Sequence, residues 1–287
     1  MSVPVVTGFF EPKTSSISYV VADPATGHCA VIDPVLDYEA RSGRTATTFA
    51  QGIVDFVRDK GWSVDWVLET HIHADHLTAT PFVHAALGGR TGIGSEVRAV
   101  QRTFAAIFNA GGDFATDGSQ FDHLFADGEV FGVGSIEARA LHTPGHTPAC
   151  ASYLIGDAVF VGDAIFMPDY GTARCDFPGG EARRLYASIR RLLALPGATR
   201  LFVGHDYGPN GRPFAWETTV AEQRAHNKHM HEGMSEAAFV ALRLERDRQL
   251  NLPDLMLPAV QVNMRAGALP PAEANGQVYL KIPLNAL

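Results

Sequence analysis

Between Glu69 and Thr78 the sequence ETHIHADHLT places five groups able to hold a metal or a proton: Glu69, His71, His73, Asp75 and His76. Three more stand at the ends of short strand-like runs: His146 after ALHTPG, Asp163 after VFVG and His205 after LFVG. Four separate strand-like segments thus end in histidine or aspartate. Loops at strand ends can bring such groups to one point, while the strands keep that point rigid. Neutral imidazoles with carboxylates suit zinc, iron or manganese, and the lack of a cysteine cluster disfavours a soft thiolate site. Taken singly, a histidine is more often a surface or satisfied core group. His28, His84, His123, His226 and His231 are read that way, and His142, four residues before His146 on the strand or its exit, is a candidate for a supporting place outside the coordination sphere. The set His71, His73, Asp75, His76, His146, Asp163 and His205 is different, because motif, context and spacing seldom agree by chance.

The elements that must position these groups are legible in outline. SISYVVAD and CAVIDP read as strands, and TATTFAQGIVDFVRDKGW as a helix stopped by Gly61. SVDWVLETH reads as a buried strand running into the histidine loop. TPFVHAALGG is expected to open a helix on Pro81. SEVRAVQRTFAAIFNAGG is expected to form a helix with Ser95 at its N-cap and Gly111 at its end. GEVFGV, IEARAL, ASYLIG and AVFVGDA read as an antiparallel meander, EARRLYASIRRLLAL as an amphipathic helix, and ATRLFVGHD as a further strand. From Trp216 onward two helical stretches precede a proline-punctuated segment, NLPDLMLPAVQVNMRAGALPP. The expected organisation is α/β, with a core over 1–215 and a helical and extended appendage over 216–287 packed on it.

Bulk composition removes several function classes. The net charge of −8 argues against nucleic acid and anionic membranes as partners. No run of about 18 apolar residues suggests a membrane span, and MSVPVVTGFFEPKTSS lacks the pattern of a secretory signal. The three cysteines, Cys29, Cys150 and Cys175, form no C-x-x-C, so a reducing cytoplasm is the expected location. Cys29 and Cys150 lie in apolar runs and read as buried structural thiols; Cys175 falls in a loop.

THIHADH at 70–76, TPGHT at 143–147, GDA at 162–164 and GHD at 204–206 together resemble the metallo-β-lactamase superfamily. The resemblance implies an αββα sandwich with the metal site at one edge of two sheets. Fold alone does not name a reaction. The flanking sequence is similar to the persulfide dioxygenase (sulfur dioxygenase) family: FEPKTSSISYVVAD, the run Arg174, Asp176 and Phe177 within GTARCDF, HDY at 205–207, TTVAEQRAHN and NMRAG. The chain departs from short animal-type members in an additional helix over EVRAVQRTFAAIFNAGGDF and in a longer tail. It also has His229 and Lys228 where some relatives have an arginine thought to reach glutathione.

That resemblance implies one Fe(II) per chain, held by His71, His146 and Asp163. Three ligands on one face of an octahedron leave three positions open, where dioxygen and a sulfur anion can meet. The implied reaction oxidises the terminal sulfur of glutathione persulfide with O2, releasing sulfite and glutathione, a step of sulfide oxidation. His73, Asp75, His76 and His205 would orient ligands and water from outside the coordination sphere. Arg174 is a candidate for a substrate carboxylate, with an ion pair to Asp176 as its structural alternative. Tyr207 is a candidate hydrogen-bond donor to substrate. The reading leaves room for a homodimer and for a sulfur-transfer partner. A rival reading uses all seven groups as ligands of two metals, as in glyoxalase II, and hydrolyses S-lactoylglutathione with a metal-bound hydroxide. A non-catalytic metal-binding module is a third reading, and would leave the complete ligand set without a task.

Overall fold

The computed structural model describes residues 3–286. Residues 1, 2 and 287, at the outer ends of the two expected divisions, lie outside the described residues. The chain begins with β1 (Val5–Glu11), β2 (Ser16–Asp23), β3 (His28–Ile32), β4 (Val35–Glu39), β5 (Arg44–Ala46), α1 (Thr48–Asp59) and β6 (Ser63–Leu68). Then come β7 (Leu77–Thr78), α2 (Thr80–Leu87), β8 (Arg90–Gly94), α3 (Val97–Ile107), β9 (His123–Phe125), β10 (Val130–Val133) and β11 (Ile136–His142). Next are β12 (Ala151–Ile155), β13 (Ala158–Phe160), α4 (Ala182–Leu193), β14 (Arg200–Phe202) and β15 (Glu217–Thr219). The helices α5 (Val220–His226), α6 (Glu236–Asp247) and α7 (Met256–Asn263) complete the order.

Two mixed six-stranded sheets face each other, in the orders β1-β2-β3-β6-β8-β9 and β10-β11-β12-β13-β14-β15. Strand alternation shows why. On β2, Ile17, Tyr19 and Val21 join the core between the sheets, while Val20 and Ala22 turn outward beneath α1 and α2. On β3, Ala30 and Ile32 face inward and Cys29 and Val31 outward. Such strands are apolar on both faces because both faces are covered. α1 supplies Ala50, Ile53, Val54 and Val57 to one outer layer. Across the second sheet, Val159, Leu201 and Val203 pack under Leu185, Ile189 and Leu192 of α4 and Phe239 of α6. The expected αββα layering is therefore the observed fold. The meander appears as antiparallel β10 to β13, and β14 then adds parallel to β13.

Local expectations fared unequally. Gly61 follows the C-cap of α1 at φ +64°, the left-handed conformation that ends a helix. α3 instead begins one residue later than a Ser95 cap requires, because the Ser95 N–H donates to the Phe125 carbonyl and extends the strand pairing of β8 with β9. It also ends at Ile107, before Gly111. Within the segment read as proline-punctuated lies α7, with Pro258 in its first turn, where a missing N–H costs no helical hydrogen bond. The additional helix α3 supplies Val97, Val100 and Phe104 to a cluster with Met256, Val260 and Met264, so it forms the bed on which α7 lies. The strand β15, just after the boundary expected at 215, pairs with β14 at the edge of the second sheet. No helix among the described residues is long and apolar enough to cross a membrane.

Candidate metal centre

The loops that follow β6, β11, β13 and β14 converge at one edge of the sandwich. They deliver His71, His146, Asp163 and His205, all buried. One ligand atom from each of His71, His146 and Asp163 lies within 4.8 Å of the others. Both histidines are held from behind. The His146 Nδ1–H donates to the Arg174 carbonyl at 2.8 Å, leaving Nε2 as the free face, 3.8 Å from Asp163 Oδ2. His71 Nδ1 lies 3.0 Å from the Thr70 hydroxyl, and the Thr70 N–H donates to Asp33 at 2.7 Å. His71 Nε2 and Asp163 Oδ1 are buried without hydrogen-bond partners. Buried polar atoms are rarely left so, and both residues belong to this one cluster. The donor set, two imidazoles and a carboxylate, fits a divalent transition metal.

Two glycines of the motifs are sterically required. Gly145 in TPGHT has φ +143°, and a Cβ there would come 2.3 Å from the Leu185 backbone at the start of α4. Gly204 in GHD backs onto Asp163, and a Cβ there would come 2.8 Å from Oδ1. The small residue lets the strand-end carboxylate stand where it does.

A second group, His73, Asp75 and His76, also has ligand atoms within 4.8 Å of one another. His205 Nε2 stands 3.4 Å from both Asp75 Oδ2 and Asp163 Oδ1 and so links the two groups. The ring of His73 is pinned on one side: Nε2 lies 3.0 Å from Asp33 Oδ1 and 3.4 Å from Glu69 Oε2. Burial pushes the Glu69 carboxyl up. Burial also opposes ionisation of Asp33, but His73 and the Thr70 hydrogen bonds outweigh it and hold that carboxyl low. Burial, then neighbouring histidines, drives His71 well below the ordinary imidazole range. Burial lowers His146 as well, and carries His76 to about 3. All three therefore present neutral imidazoles, the form that binds metal.

The remaining expected site residues fall as follows. Tyr207 stacks on His205 with ring centroids 5.8 Å apart and planes 7° from parallel. It stands between two cavities that share Asp75, Tyr207 and Pro253, one of 280 Å³ on the Asp163 side and one of 460 Å³ reaching Lys13 and Asp37. Arg174 lines the smaller cavity, but its guanidinium is turned onto Asp176, with both N···O distances at 2.6 Å, and a third N–H donates to the Asn251 carbonyl. The carboxylate expected for it in a substrate is thus supplied by the chain itself. Cys175 is buried and its thiol is pushed up by burial, so it is not a poised nucleophile. The His142 Nε2–H donates to the Phe125 carbonyl at 2.9 Å, and the residue joins none of the metal-type groups.

Three functional contributors escaped the sequence reading. Asp33 ends β3 with the same strand-end logic as the others, and AVIDP carried that signal. Asn263, in NMRAG, donates to the His73 and His76 carbonyls at 2.8 Å each and accepts from the Thr78 N–H at 2.9 Å. Arg243, on α6, is 1% exposed and lines the smaller cavity.

The model of the metallo-beta-lactamase superfamily matches residues 13–205. The chain belongs to that superfamily. The chain is similar to a probable metallo-hydrolase of Burkholderia pseudomallei, 54% identical over 98% of this chain and 99% of that one. Glyoxylase B2 of Dictyostelium discoideum is 47% identical over 97% and 96% of the two chains. The mitochondrial persulfide dioxygenase ETHE1 of Mus musculus is 30% identical over 91% and 88%. Among solved structures, ETHE1 from Myxococcus xanthus superposes with a TM-score of 0.73 at 28% identity, covering 92% of this chain and all of that one.

One group near the cavity gives a pH-dependent expectation. His229 is buried and accepts the Thr172 N–H at Nδ1, 3.0 Å away. Burial, then Arg243, Arg246 and Lys228, lowers it to about 3. An unfolded histidine takes its proton near pH ~6.5. Between those values the unfolded chain binds the extra proton, so this contribution is complete above ~6.5 and is lost as pH falls towards 3. Urea titrations should show wild type losing more stability between about pH 7 and about pH 5 than His229→Gln does. Equal losses would refute the assignment.

Proposed function

We propose that the protein is a glutathione-dependent persulfide dioxygenase with one Fe(II) per chain. The observation that carries this reading is the donor set of His71, His146 and Asp163, each with a ligand atom within 4.8 Å of the others, beside a His73 whose Nε2 already lies 3.0 Å from Asp33 and 3.4 Å from Glu69. A two-histidine, one-carboxylate set with open positions is the ligand pattern of non-haem iron oxygenases. The similarity to the persulfide dioxygenase of Mus musculus and to the Myxococcus xanthus ETHE1 fold supports the same reading.

In that reading the overall reaction takes glutathione persulfide, O2 and water to glutathione, sulfite and two protons. Bound iron would supply electrons to O2 and a seat for the terminal sulfur. The chain does the rest. Arg174 carbonyl and Thr70 fix the tautomers and directions of His146 and His71. Asp163 offsets metal charge. Burial lowers His205, but Asp163 and Asp75 outweigh it and raise the imidazole above its ordinary range. Phe166, Phe177 and Tyr170 line the approach and limit water.

The hydrolytic reading has its own support: His73, Asp75 and His76 can hold a second metal, and the nearer relatives carry the names metallo-hydrolase and glyoxylase. Anaerobic purification followed by metal counting and two assays separates them. One iron per chain with oxygen uptake on glutathione persulfide is the expected result. Two metals with S-lactoylglutathione hydrolysis and no oxygen uptake would sink the proposal.

A further inference from the structure

The outer wall of the 280 Å³ cavity is formed by α6 and the residues after it: Arg243, Arg246, Leu250 and Pro253. Arg243 is 1% exposed. Its Nη1 donates to the Thr172 carbonyl at 2.9 Å and its Nη2 pairs with Asp247, one turn along the helix. Its Nε is buried and has no partner. A buried guanidinium with an N–H left open is costly unless something completes it. Arg246 lies on the next turn of the same face, exposed at the cavity, with no ion-pair partner among the described residues. Nearby, Lys228 sits over the Tyr170 ring at 5.3 Å from its centroid. Arg174, the other arginine of the cavity, is neutralised by Asp176.

The lining is therefore mixed in charge: it holds the carboxylates of Asp163 and Asp75, aromatic walls, and in Arg246 a cation with no ion-pair partner among the described residues. In a chain of net charge −8, such a cation stands against the overall field. We propose that Arg246, backed by the open Nε of Arg243, recognises a carboxylate on the part of the substrate remote from the reacting sulfur. The substrate class is then an anionic thiol adduct, and Arg246 is a specificity-determining residue. This rests on the proposed function for the reacting end alone; the anion recognition would hold equally for a thioester.

The test uses binding, so that it does not depend on turnover. The probe is S-methylglutathione, which neither oxygenase nor thioesterase consumes, compared with its dicarboxamide, on the full-length metal-loaded protein by calorimetry. Wild type should prefer the acid. In Arg246→Gln the ratio of acid to amide affinity should fall by about ten-fold, and in Arg246→Glu it should invert. Arg246 is exposed, so both variants should fold, which circular dichroism checks. With glutathione persulfide the loss should appear mainly in KM rather than kcat. A ratio unchanged within about two-fold in both variants would overturn the proposal. A protein that consumes no oxygen yet shows the ratio change would refute the dioxygenase reading and leave this one standing.

Discussion

Asp163→Ala is expected to lose its metal on dialysis and more than about 100-fold of its activity, a larger effect than loss of an outer orienting group gives. Asp163 is the only anion in the group it forms with His71 and His146. Removing it leaves two neutral imidazoles, which hold a divalent ion poorly and offset none of its charge. The side chain is nearly buried, and Gly204 packs against it, so alanine leaves a small void and no clash. Circular dichroism should therefore be close to wild type. Elemental analysis before and after dialysis gives the readout. Asp75→Ala is the paired measurement: it should retain one metal per chain if the centre is mononuclear. Full metal content and full activity in Asp163→Ala would remove its ligand role. Loss of one of two metals in Asp75→Ala would instead favour the binuclear arrangement.

Asn263→Leu should be the most damaging change outside the ligands themselves. The side chain is 2% exposed and satisfies three backbone groups of the histidine loop. Leucine fills a similar volume but offers no donor or acceptor. Two carbonyls and one N–H would be left buried and unpaired, at ~1–3 kcal/mol each. A loss of about 3 kcal/mol or more follows, read as a lower urea midpoint. Because the two carbonyls belong to His73 and His76, the imidazoles of the loop lose their fixed directions as well. Metal affinity should fall even at a denaturant concentration where the variant remains folded. Wild-type stability in Asn263→Leu would show that the loop holds itself.

What could be read from the sequence was what is local. Each of the four strand-end motifs carries its metal-type residue beside the apolar run that positions it, so His71, His146, Asp163 and His205 were visible without a fold. α1 and β6 were visible because their apolar spacing is strong and Gly61 marks a stop. The failures share one cause, which is that tertiary contacts decided them. Pro258 looked like a helix breaker, yet in a first turn it breaks nothing. No strand is expected over RTGIG, yet β8 is an interior strand between β6 and β9. Ser95 has the chemistry of an N-cap, but its backbone was already committed to Phe125. Arg174 could have faced substrate or Asp176, and sequence distance cannot choose between them. Asn263 and Arg243 act on groups far away in the chain, and no local pattern announces such a contact.

The bracing of the histidine loop by α7 has a consequence for timing. Asn263 is separated from His73 by 190 positions. At synthesis rates of about 5–20 residues per second, roughly 10–40 s pass between the emergence of the loop and the arrival of its brace. During that interval every residue of the metal-type clusters has been made, and so has His205 beside them. The nascent chain thus carries the histidine loop without its Asn263 brace, and the loop reaches its final form only after α7 has been made.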